Sequence, residues 1–191
     1  MSISDVLQRI TTAIEQSDIA YMLTGSFASA YYGTPRSTQD IDVIVEATPA
    51  QLSAFVNTLP VDQYYVDLDA ALQALLAESM FNVVDRSTGW KIDFIIRKSR
   101  PFSREEFRRR VRVTLQGVSL FVASTEDIVI AKLEWSKLAQ SQRQIDDVAA
   151  ILRTRRETLD RTYIEKWTRE LGVEAEWDKA RGQPEPSRPE V

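Results

Sequence analysis

The sequence predicts an α/β half followed by a helical half. Up to about Ala123, short apolar stretches suited to strands alternate with segments whose apolar residues recur at helical spacing. Beyond Ala123, only the helical spacing recurs. With 191 residues, 43% of them hydrophobic and 27% charged, the chain can bury a core of ordinary size. We therefore expect residues 1–123 to form an α/β core and 124–177 a helical part packed on it. Residues 178–191 contain three prolines and almost no large apolar side chain, which predicts a disordered tail.

The elements of the first half follow from local patterns. Ser2-x-x-Asp5 is a capping sequence, and the apolar residues after it have the spacing of an amphipathic helix. A buried strand then leads through Gly25-Ser26 into a second helix. Thr48-Pro49-Ala50-Gln51 combines a cap, a proline in the first turn and a glutamine in the third position, which predicts another helix start. The predicted helices are 3–16, 27–32, 48–59, 69–78 and a short basic helix capped by Ser103-x-x-Glu106.

Six strands are predicted in the same half. Two hairpins are expected, one around the polar segment 86–89 and one around Gln116-Gly117. The predicted strands are 19–23, 41–45, 81–85, 91–96, 111–115 and 118–122. In the second half, Ser124-x-x-Asp127 opens a helix to about Gln140, and two more helices are expected over 143–153 and 163–171.

The composition excludes several chemistries. The chain has no cysteine and no histidine, so a thiol nucleophile, a Ser-His-Asp triad, an imidazole acid or base and the usual zinc sites are all ruled out. A bound metal would therefore be a hard cation, Mg²⁺ or Mn²⁺, held by carboxylates and water.

Charge and hydropathy limit the location and the partners. Charged residues interrupt every apolar run well before the ~20 residues that a membrane span needs, so no membrane contact is expected. The first residues have neither the basic start nor the cleavage site of a secretory signal, and we expect a cytoplasmic protein. The formal net charge of −4 disfavours a protein that coats nucleic acid, although a local basic face could still bind it.

Two carboxylates stand at the start of an apolar strand. Asp40 and Asp42 alternate with Ile41 and therefore point to the same side, about 7 Å apart along the strand. Like charges this close repel unless a positive group lies near them. Asp93, in the sequence KIDFII, begins a later strand and is a candidate third ligand. Three carboxylates on neighbouring strands could hold two divalent ions ~4 Å apart, an arrangement that steadies the attacking and leaving oxygens in nucleotidyl transfer.

A Gly-Ser turn precedes the acidic pair. Gly25 and Ser26 lie between a strand and a helix, where backbone N–H groups and a hydroxyl can bind phosphate oxygens. Each motif alone is common, since an isolated D-x-D is usually a polar start to a strand and Gly-Ser usually a capped turn. The specific feature is the order: strand, Gly-Ser, helix, Gly33-x-x-Arg36, Thr38, D-x-D, and an acidic residue on a later strand.

In that order the sequence resembles the nucleotidyltransferase (polymerase-beta-like) superfamily. The stretch GSFASAYYGTPRSTQDIDVIV is similar to the minimal and AbiEii-type toxin nucleotidyltransferases, in which Arg and Thr precede the D-x-D. The resemblance implies a mixed twisted sheet flanked by helices and followed by a helical segment. It also implies that Gly25 and Ser26 bind an NTP, as do Arg36 and Thr38, and that Asp40, Asp42 and Asp93 bind Mg²⁺ or Mn²⁺ and catalyse the transfer.

A weaker resemblance extends into the helical half. In the family a lysine of the first helix there faces the nucleotide and a later acidic residue lies nearby, and Lys132 and Asp147 match these positions. Lys132 could equally extend its stem along an apolar helix face. Many relatives have an acidic residue where this chain has Gln144, which leaves open whether Asp146 or Asp147 is the functional one.

The predicted function is metal-dependent transfer of an NMP from an NTP, ATP among them, to a hydroxyl of an acceptor. The acceptor could be tRNA, another RNA, a protein or a small molecule, and a toxin with an antitoxin partner is one form this could take. The run from Arg97 to Arg112 has eight basic and two acidic residues, and is either a solvated face or a path for phosphates. The alternative function is a non-catalytic module that binds a nucleotide or a partner on the same scaffold.

Overall fold

The computed structural model describes residues 2–33, 38 and 40–183. Within these residues the chain forms nine helices and one seven-stranded sheet, in the order that the sequence predicts for all but two short elements. The helices are α1 Ile3–Gln16, α2 Gly25–Tyr32, α3 Pro49–Thr58, α4 Leu68–Leu76, α5 Pro101–Arg108, α6 Thr125–Ala139, α7 Gln142–Arg155, α8 Arg161–Leu171 and α9 Glu174–Arg181. The strands are β1 Ala20–Thr24, β2 Asp40–Glu46, β3 Tyr64–Tyr65, β4 Met80–Asp85, β5 Lys91–Ile96, β6 Val111–Leu115 and β7 Val118–Val122.

The described part of the chain separates into two compact units. Tyr32, Gly33 and the residues from Thr125 onward form the second unit, and the remaining described residues form the first.

The sheet of the first unit is mixed, as expected. Its strand order is β3-β4-β5-β2-β1-β7-β6. β2 is antiparallel to β1 but parallel to β5, and β1 is parallel to β7. The two predicted hairpins, β4-β5 and β6-β7, are antiparallel pairs. The acidic strands β2 and β5 therefore run side by side in the same direction near the middle of the sheet.

One face of these central strands carries the apolar core. Val43 of β2 and Phe94 of β5 are paired, and both are buried. The Phe94 ring lies 5.1 Å from that of Phe81 on β4 and 4.9 Å from that of Phe55 on α3. Because side chains alternate along a strand, this packing assigns the odd-numbered positions of β2 to the core and leaves Asp40 and Asp42 on the opposite face.

The second unit is made of helices around apolar side chains. α6 packs against α7, α8 and α9. The buried residues include Val129 and Leu133 of α6, Val148 of α7 and Trp167 of α8. These helices thus enclose apolar side chains of their own, and the expectation that 124–177 pack on the α/β core stays a prediction.

Three local predictions differ from the structure. The helix α5 begins at Pro101, and Ser103 and Glu106 are buried inside it instead of forming a cap. Proline suits the first turn because its φ is already helical and its missing N–H needs no partner. The short strand β3 and the helix α9 were not predicted.

The helix α9 overlaps the predicted tail. That tail starts at Asp178, whereas α9 continues to Arg181 and buries Trp177 and Ala180. These two residues are three positions apart and so lie on one face of the helix. Residues 184–191 lie outside the described part of the chain.

Candidate active site

Two of the predicted carboxylates lie side by side on the sheet. Asp42 of β2 is paired with Asp93 of β5, and their side chains project from the same face. Thr24 of β1 and Asn82 of β4 continue this row on either side. Asp40 precedes Asp42 by two residues and shares the face. The structure thus brings the three aspartates together where β2 and β5 begin, and we call Asp40, Asp42 and Asp93 the acidic row.

The row runs from solvent into the protein. The side chain of Asp40 is 56% exposed, whereas that of Asp93 is 9% exposed. Both carboxylate oxygens of Asp93 accept hydrogen bonds, Oδ1 from the Asn82 amide and Oδ2 from Lys91. A buried carboxylate needs such donors, since desolvation would otherwise favour its neutral form.

Gly25 lies directly against the row. Its φ is +65°, a conformation that favours glycine, and a Cβ built on it would lie 1.9 Å from Oδ2 of Asp42. The first turn of α2 therefore begins in contact with the carboxylate of Asp42 because residue 25 has no side chain. This contact places the backbone of the Gly-Ser turn within reach of any group bound at Asp42.

The other residues predicted to bind the nucleotide, Ser26, Thr38 and Arg36, differ in their surroundings. Ser26 is the second residue of α2 and partly buried. Thr38 Oγ1 lies 3.3 Å from both the backbone N–H and the carbonyl oxygen of Asp40, accepting from the first or donating to the second. Thr38 thus supports Asp40 through its backbone. Arg36 lies outside the described residues.

An aromatic contact joins the Gly-Ser helix to β5. The rings of Phe27 and Trp90 meet edge to face with their centres 6.2 Å apart. Such pairs are favourable beyond the area they bury. Phe27 follows Ser26 and Trp90 precedes Lys91, so the contact positions the first turn of α2 beside the start of β5.

Lys91 is a site residue that sequence reasoning missed. Its Nζ lies 2.9 Å from Asp93 Oδ2 and 3.7 Å from Asp40 Oδ1, and its side chain is 42% exposed. The hydrogen bond to Asp93 raises the pKa of Lys91 against the effect of partial burial, and the charges of Asp93 and Asp40 raise it further. The available signal was the KID sequence, because residues two apart on a strand share a face.

The acidic row fits a metal by its chemistry but is arranged around Lys91. Three carboxylates are the ligands that Mg²⁺ and Mn²⁺ prefer, which is the set the sequence predicts. Among the described residues, however, no group of three or more acidic side chains is already placed to hold a metal ion. The ammonium group of Lys91 lies between two of the three carboxylates instead.

A second lysine–aspartate contact lies in the helical unit. Lys132 of α6 is buried and donates to Asp147 Oδ2 at 2.7 Å and to Gln144 Oε1 at 3.0 Å, both on α7. Asp146 is exposed and accepts from Gln142 and Gln183. Of the two aspartates left open by the sequence, Asp147 is thus the partner of Lys132. Their predicted role in nucleotide binding stays a prediction.

The basic run is only partly a solvated face. Arg97 binds Glu46, and Arg108 binds Glu105. The guanidinium of Arg110 lies 4.6 Å from the ring centre of Phe107 and 5.2 Å from that of Phe121. The guanidinium groups of these three arginines are therefore bound to carboxylates or aromatic rings of the first unit. Lys98 and Arg104 are exposed, and a path for phosphates along this run stays a prediction.

The strand order, the Gly-Ser helix and the paired aspartates together define the class of nucleotidyltransferases. The chain belongs to a family described as a nucleotidyltransferase of unknown function (DUF6036), whose pattern matches residues 2–181. The recognition made from the sequence is confirmed at this level. No curated protein matches the chain.

Solved structures share the fold at low sequence identity. The antibiotic-resistance factor ANT(2")-Ia, crystallised with adenylyl-2"-tobramycin, is 10% identical to this chain and has a TM-score of 0.60. The match covers 90% of this chain and 97% of ANT(2")-Ia. An antigenic nucleotidyltransferase-like protein from Paracoccidioides brasiliensis is 13% identical and has a TM-score of 0.54, and the match covers 98% of this chain and 97% of that protein. The lincosamide antibiotic adenylyltransferase LnuA, with bound lincomycin, is 14% identical and has a TM-score of 0.52, and the match covers 76% of this chain and 93% of LnuA. The predicted fold class is therefore confirmed.

No described helix has the length and apolar character needed to cross a membrane.

Proposed function

We propose that this protein transfers a nucleoside monophosphate from an NTP to a hydroxyl group of an acceptor, with a divalent metal ion bound at the acidic row. The observation that carries the proposal is the pairing of Asp42 with Asp93 across β2 and β5, with Gly25 in contact with Asp42. This arrangement puts carboxylates for a cation beside backbone N–H groups suited to phosphate.

The residues of the first unit divide into two roles. Gly25 and Ser26, at the amino end of α2, bind the triphosphate through backbone N–H groups and the Ser26 hydroxyl. Asp40, Asp42 and Asp93 hold the metal, and Thr38 supports the backbone of Asp40. Mg²⁺, when bound, neutralises charge on the phosphates and lowers the pKa of an attached hydroxyl. Arg36 is proposed to bind the nucleotide on the strength of the resemblance.

The reaction exchanges one phosphorus–oxygen bond for another. The acceptor oxygen forms a bond to the α-phosphorus, and the bond from that phosphorus to the oxygen bridging to the β-phosphate breaks, which releases pyrophosphate. The acceptor proton passes to a carboxylate, because the chain has no histidine. Asp93 or Asp42 is the proposed base, since a general base must lie within hydrogen-bond reach of the attacking group.

Lys132 and Asp147 are proposed to contact the nucleotide. The support is the weaker resemblance of the helical half together with the pairing of the two side chains within the second unit. A purely structural role is the competing explanation, since a buried lysine needs partners in any case.

The acceptor to test first is a small hydroxylated molecule. Two of the similar proteins support this choice. ANT(2")-Ia is described as an antibiotic-resistance factor and was crystallised with adenylyl-2"-tobramycin, and LnuA is described as a lincosamide antibiotic adenylyltransferase. The same descriptions make ATP the first nucleotide to test. Transfer to tRNA or to a protein, by a toxin with an antitoxin partner, is the alternative that the sequence raises.

The decisive experiment follows label from α-³²P NTPs. Each NTP is incubated with Mg²⁺, a cell extract and wild-type protein or Asp42→Asn, and the extract is separated into small molecules, RNA and protein. Asp62→Asn is the matched control, because Asp62 is an exposed carboxylate of the same unit that lies before β3 and not on β2 or β5. We expect label in one fraction with the wild type and Asp62→Asn, and a loss of about a thousandfold or more with Asp42→Asn.

The outcomes separate the two functions. Full transfer by Asp42→Asn would refute the assignment of the acidic row. If folded wild-type protein transfers no label but still binds an NTP in a filter assay, the non-catalytic binding module is the better description. The labelled fraction identifies the acceptor class directly.

A further inference from the structure

Lys91 lies where the acidic row would hold a cation. Its ammonium nitrogen is within 4 Å of carboxylate oxygens on two different strands, Asp93 on its own strand and Asp40 on β2. Asp40 is paired directly with Lys91, and Asp42 directly with Asp93, so the four side chains form one charged square on a single face. The one positive charge thus offsets only part of the negative charge of the three carboxylates.

We infer that Lys91 is a built-in counter-ion of the acidic row, which opposes divalent metal binding and must leave Asp93 before the metal is bound. The inference rests on the proposed metal site. It adds a competing cation to that site, supplied by the protein itself.

The position of Asp93 makes the competition direct. Asp93 is buried, its Oδ1 accepts from Asn82, and its Oδ2 accepts from Lys91. A metal ion that uses Oδ2 must therefore displace the ammonium group. A dication and an ammonium that share one carboxylate would also repel each other at short range.

Lys91 is able to leave. Its side chain is 42% exposed, in contrast to the buried carboxylate it binds. Lysine carries a compact charge on a flexible four-carbon stem, so the ammonium can turn into water while the stem remains in place. The exchange needs no movement of β2 or β5.

The alternative is an ordinary surface ion pair. Exposed pairs of this kind contribute little, and removing one would leave the metal affinity almost unchanged. The two explanations therefore differ in the metal affinity of the protein without nucleotide, which can be measured directly.

The test titrates Mn²⁺ alone, detected by electron paramagnetic resonance of the free ion, into wild-type protein and Lys91→Met. Methionine keeps the length of the stem and removes the charge. We expect Lys91→Met to bind Mn²⁺ about tenfold more tightly than wild type. The variant lacks the ammonium group that repels the metal ion and competes with it for Asp93. Lys91→Arg, which keeps the charge, should bind no more tightly than wild type.

Lys98→Met is the matched control. Lys98 is an exposed lysine just beyond β5, and its loss changes the net charge equally. Its Mn²⁺ affinity should stay within about twofold of wild type, as expected for a screened surface charge. Lys91→Gln repeats the test if Lys91→Met proves unfolded by circular dichroism.

The inference is overturned if the charge-free variants bind Mn²⁺ within twofold of wild type, more weakly, or not at all. A tightening shared by Lys98→Met would also overturn it, since that would reflect net charge. Failure of the proposed function gives a different pattern. If Lys91→Met binds Mn²⁺ more tightly but the wild-type protein transfers no label, the role of Lys91 as a counter-ion is supported and the nucleotidyltransferase activity is rejected.

Discussion

The two compact units each contain a lysine–aspartate pair, and the pairs differ in burial. Lys91 and Asp93 are joined at 2.9 Å with side-chain exposures of 42% and 9%. Lys132 and Asp147 are joined at 2.7 Å with exposures of 4% and 14%. In the first pair the carboxylate is the buried partner, and in the second the ammonium is.

This difference changes what each pair can do. An exposed ammonium can exchange its carboxylate for water, so Lys91 can give way to another cation. A buried ammonium has no such alternative and depends on the partners that α7 supplies. A lysine and an aspartate therefore make a replaceable contact where β2 and β5 begin, and a fixed contact between α6 and α7.

Breaking the buried pair should have the largest effect on stability. Lys132→Met removes the ammonium to which Asp147 and Gln144 are hydrogen-bonded. We expect a loss of about 3–4 kcal/mol in the free energy of unfolding, measured by urea denaturation, since removing one member of a buried pair is costly. Lys91→Met removes an ammonium that is 42% exposed and leaves Asp93 its hydrogen bond from Asn82, so it should lose at most about 1 kcal/mol.

A double variant checks the cause. Replacing both partners, as in Lys132→Met with Asp147→Leu, should recover most of the loss, because an apolar pair needs no compensating charge. Equal losses for Lys132→Met and Lys91→Met would contradict the comparison.

The close contact between Gly25 and Asp42 predicts the next largest effect. Gly25→Ala places a Cβ where the Asp42 carboxylate now lies, and it also strains a positive φ. Gly89→Ala is the matched control, since Gly89 has a φ of +75° and nothing within 4 Å of the added Cβ. We expect Gly89→Ala to cost about 1 kcal/mol and Gly25→Ala about 2 kcal/mol more.

Activity should separate these variants further. Gly25→Ala should abolish label transfer, whereas Gly89→Ala should leave it near the wild-type value. If the two alanine variants are equally stable and equally active, the contact between Gly25 and Asp42 has no functional importance.

The sequence predicts the strands of the acidic row well because their patterns are local. Asp40, Asp42 and Asp93 each start an apolar stretch, and the Gly-Ser turn lies between a strand and a helix. The register of β2 with β5 could not be predicted, because pairing between distant strands is set by the whole core. The contact of Lys91 with Asp40 exists only in that register, whereas its contact with Asp93 was available from the local KID spacing and was overlooked.

The helical half shows the opposite limit. Helical spacing identified α6 and α7, and the resemblance proposed Lys132 and Asp147. Their contact joins two helices, and local spacing carries no information about which faces meet. The helix α9 was missed because its few apolar residues, among them Trp177 and Ala180, give a weak pattern until they pack.

A third ion pair, between Arg9 and Asp85, has a buried carboxylate in the first unit. Asp85 at the end of β4 has a side chain only 1% exposed and binds Arg9 of α1, so it is a buried carboxylate in the same unit as Lys91. Burial opposes its ionisation, but hydrogen bonds from Ser87 and Thr88 and the charge of Arg9 prevail and lower its pKa below 3.8.

The lowered pKa fixes the sign of the pH dependence. A carboxylate with a folded-state pKa below its unfolded value stabilises the protein above the unfolded value, and this contribution is lost as the pH falls through the folded value. The free energy of unfolding should therefore fall as the pH drops below about 3.8, the value for an unperturbed aspartate. Asp85→Asn should lose about 1 kcal/mol at pH 7 and show a shallower acid decline than wild type. Asp69→Asn, at an exposed position of α4, should retain the wild-type profile. An unchanged acid profile in Asp85→Asn would mean that the interactions of the ionised Asp85 carboxylate do not stabilise the fold.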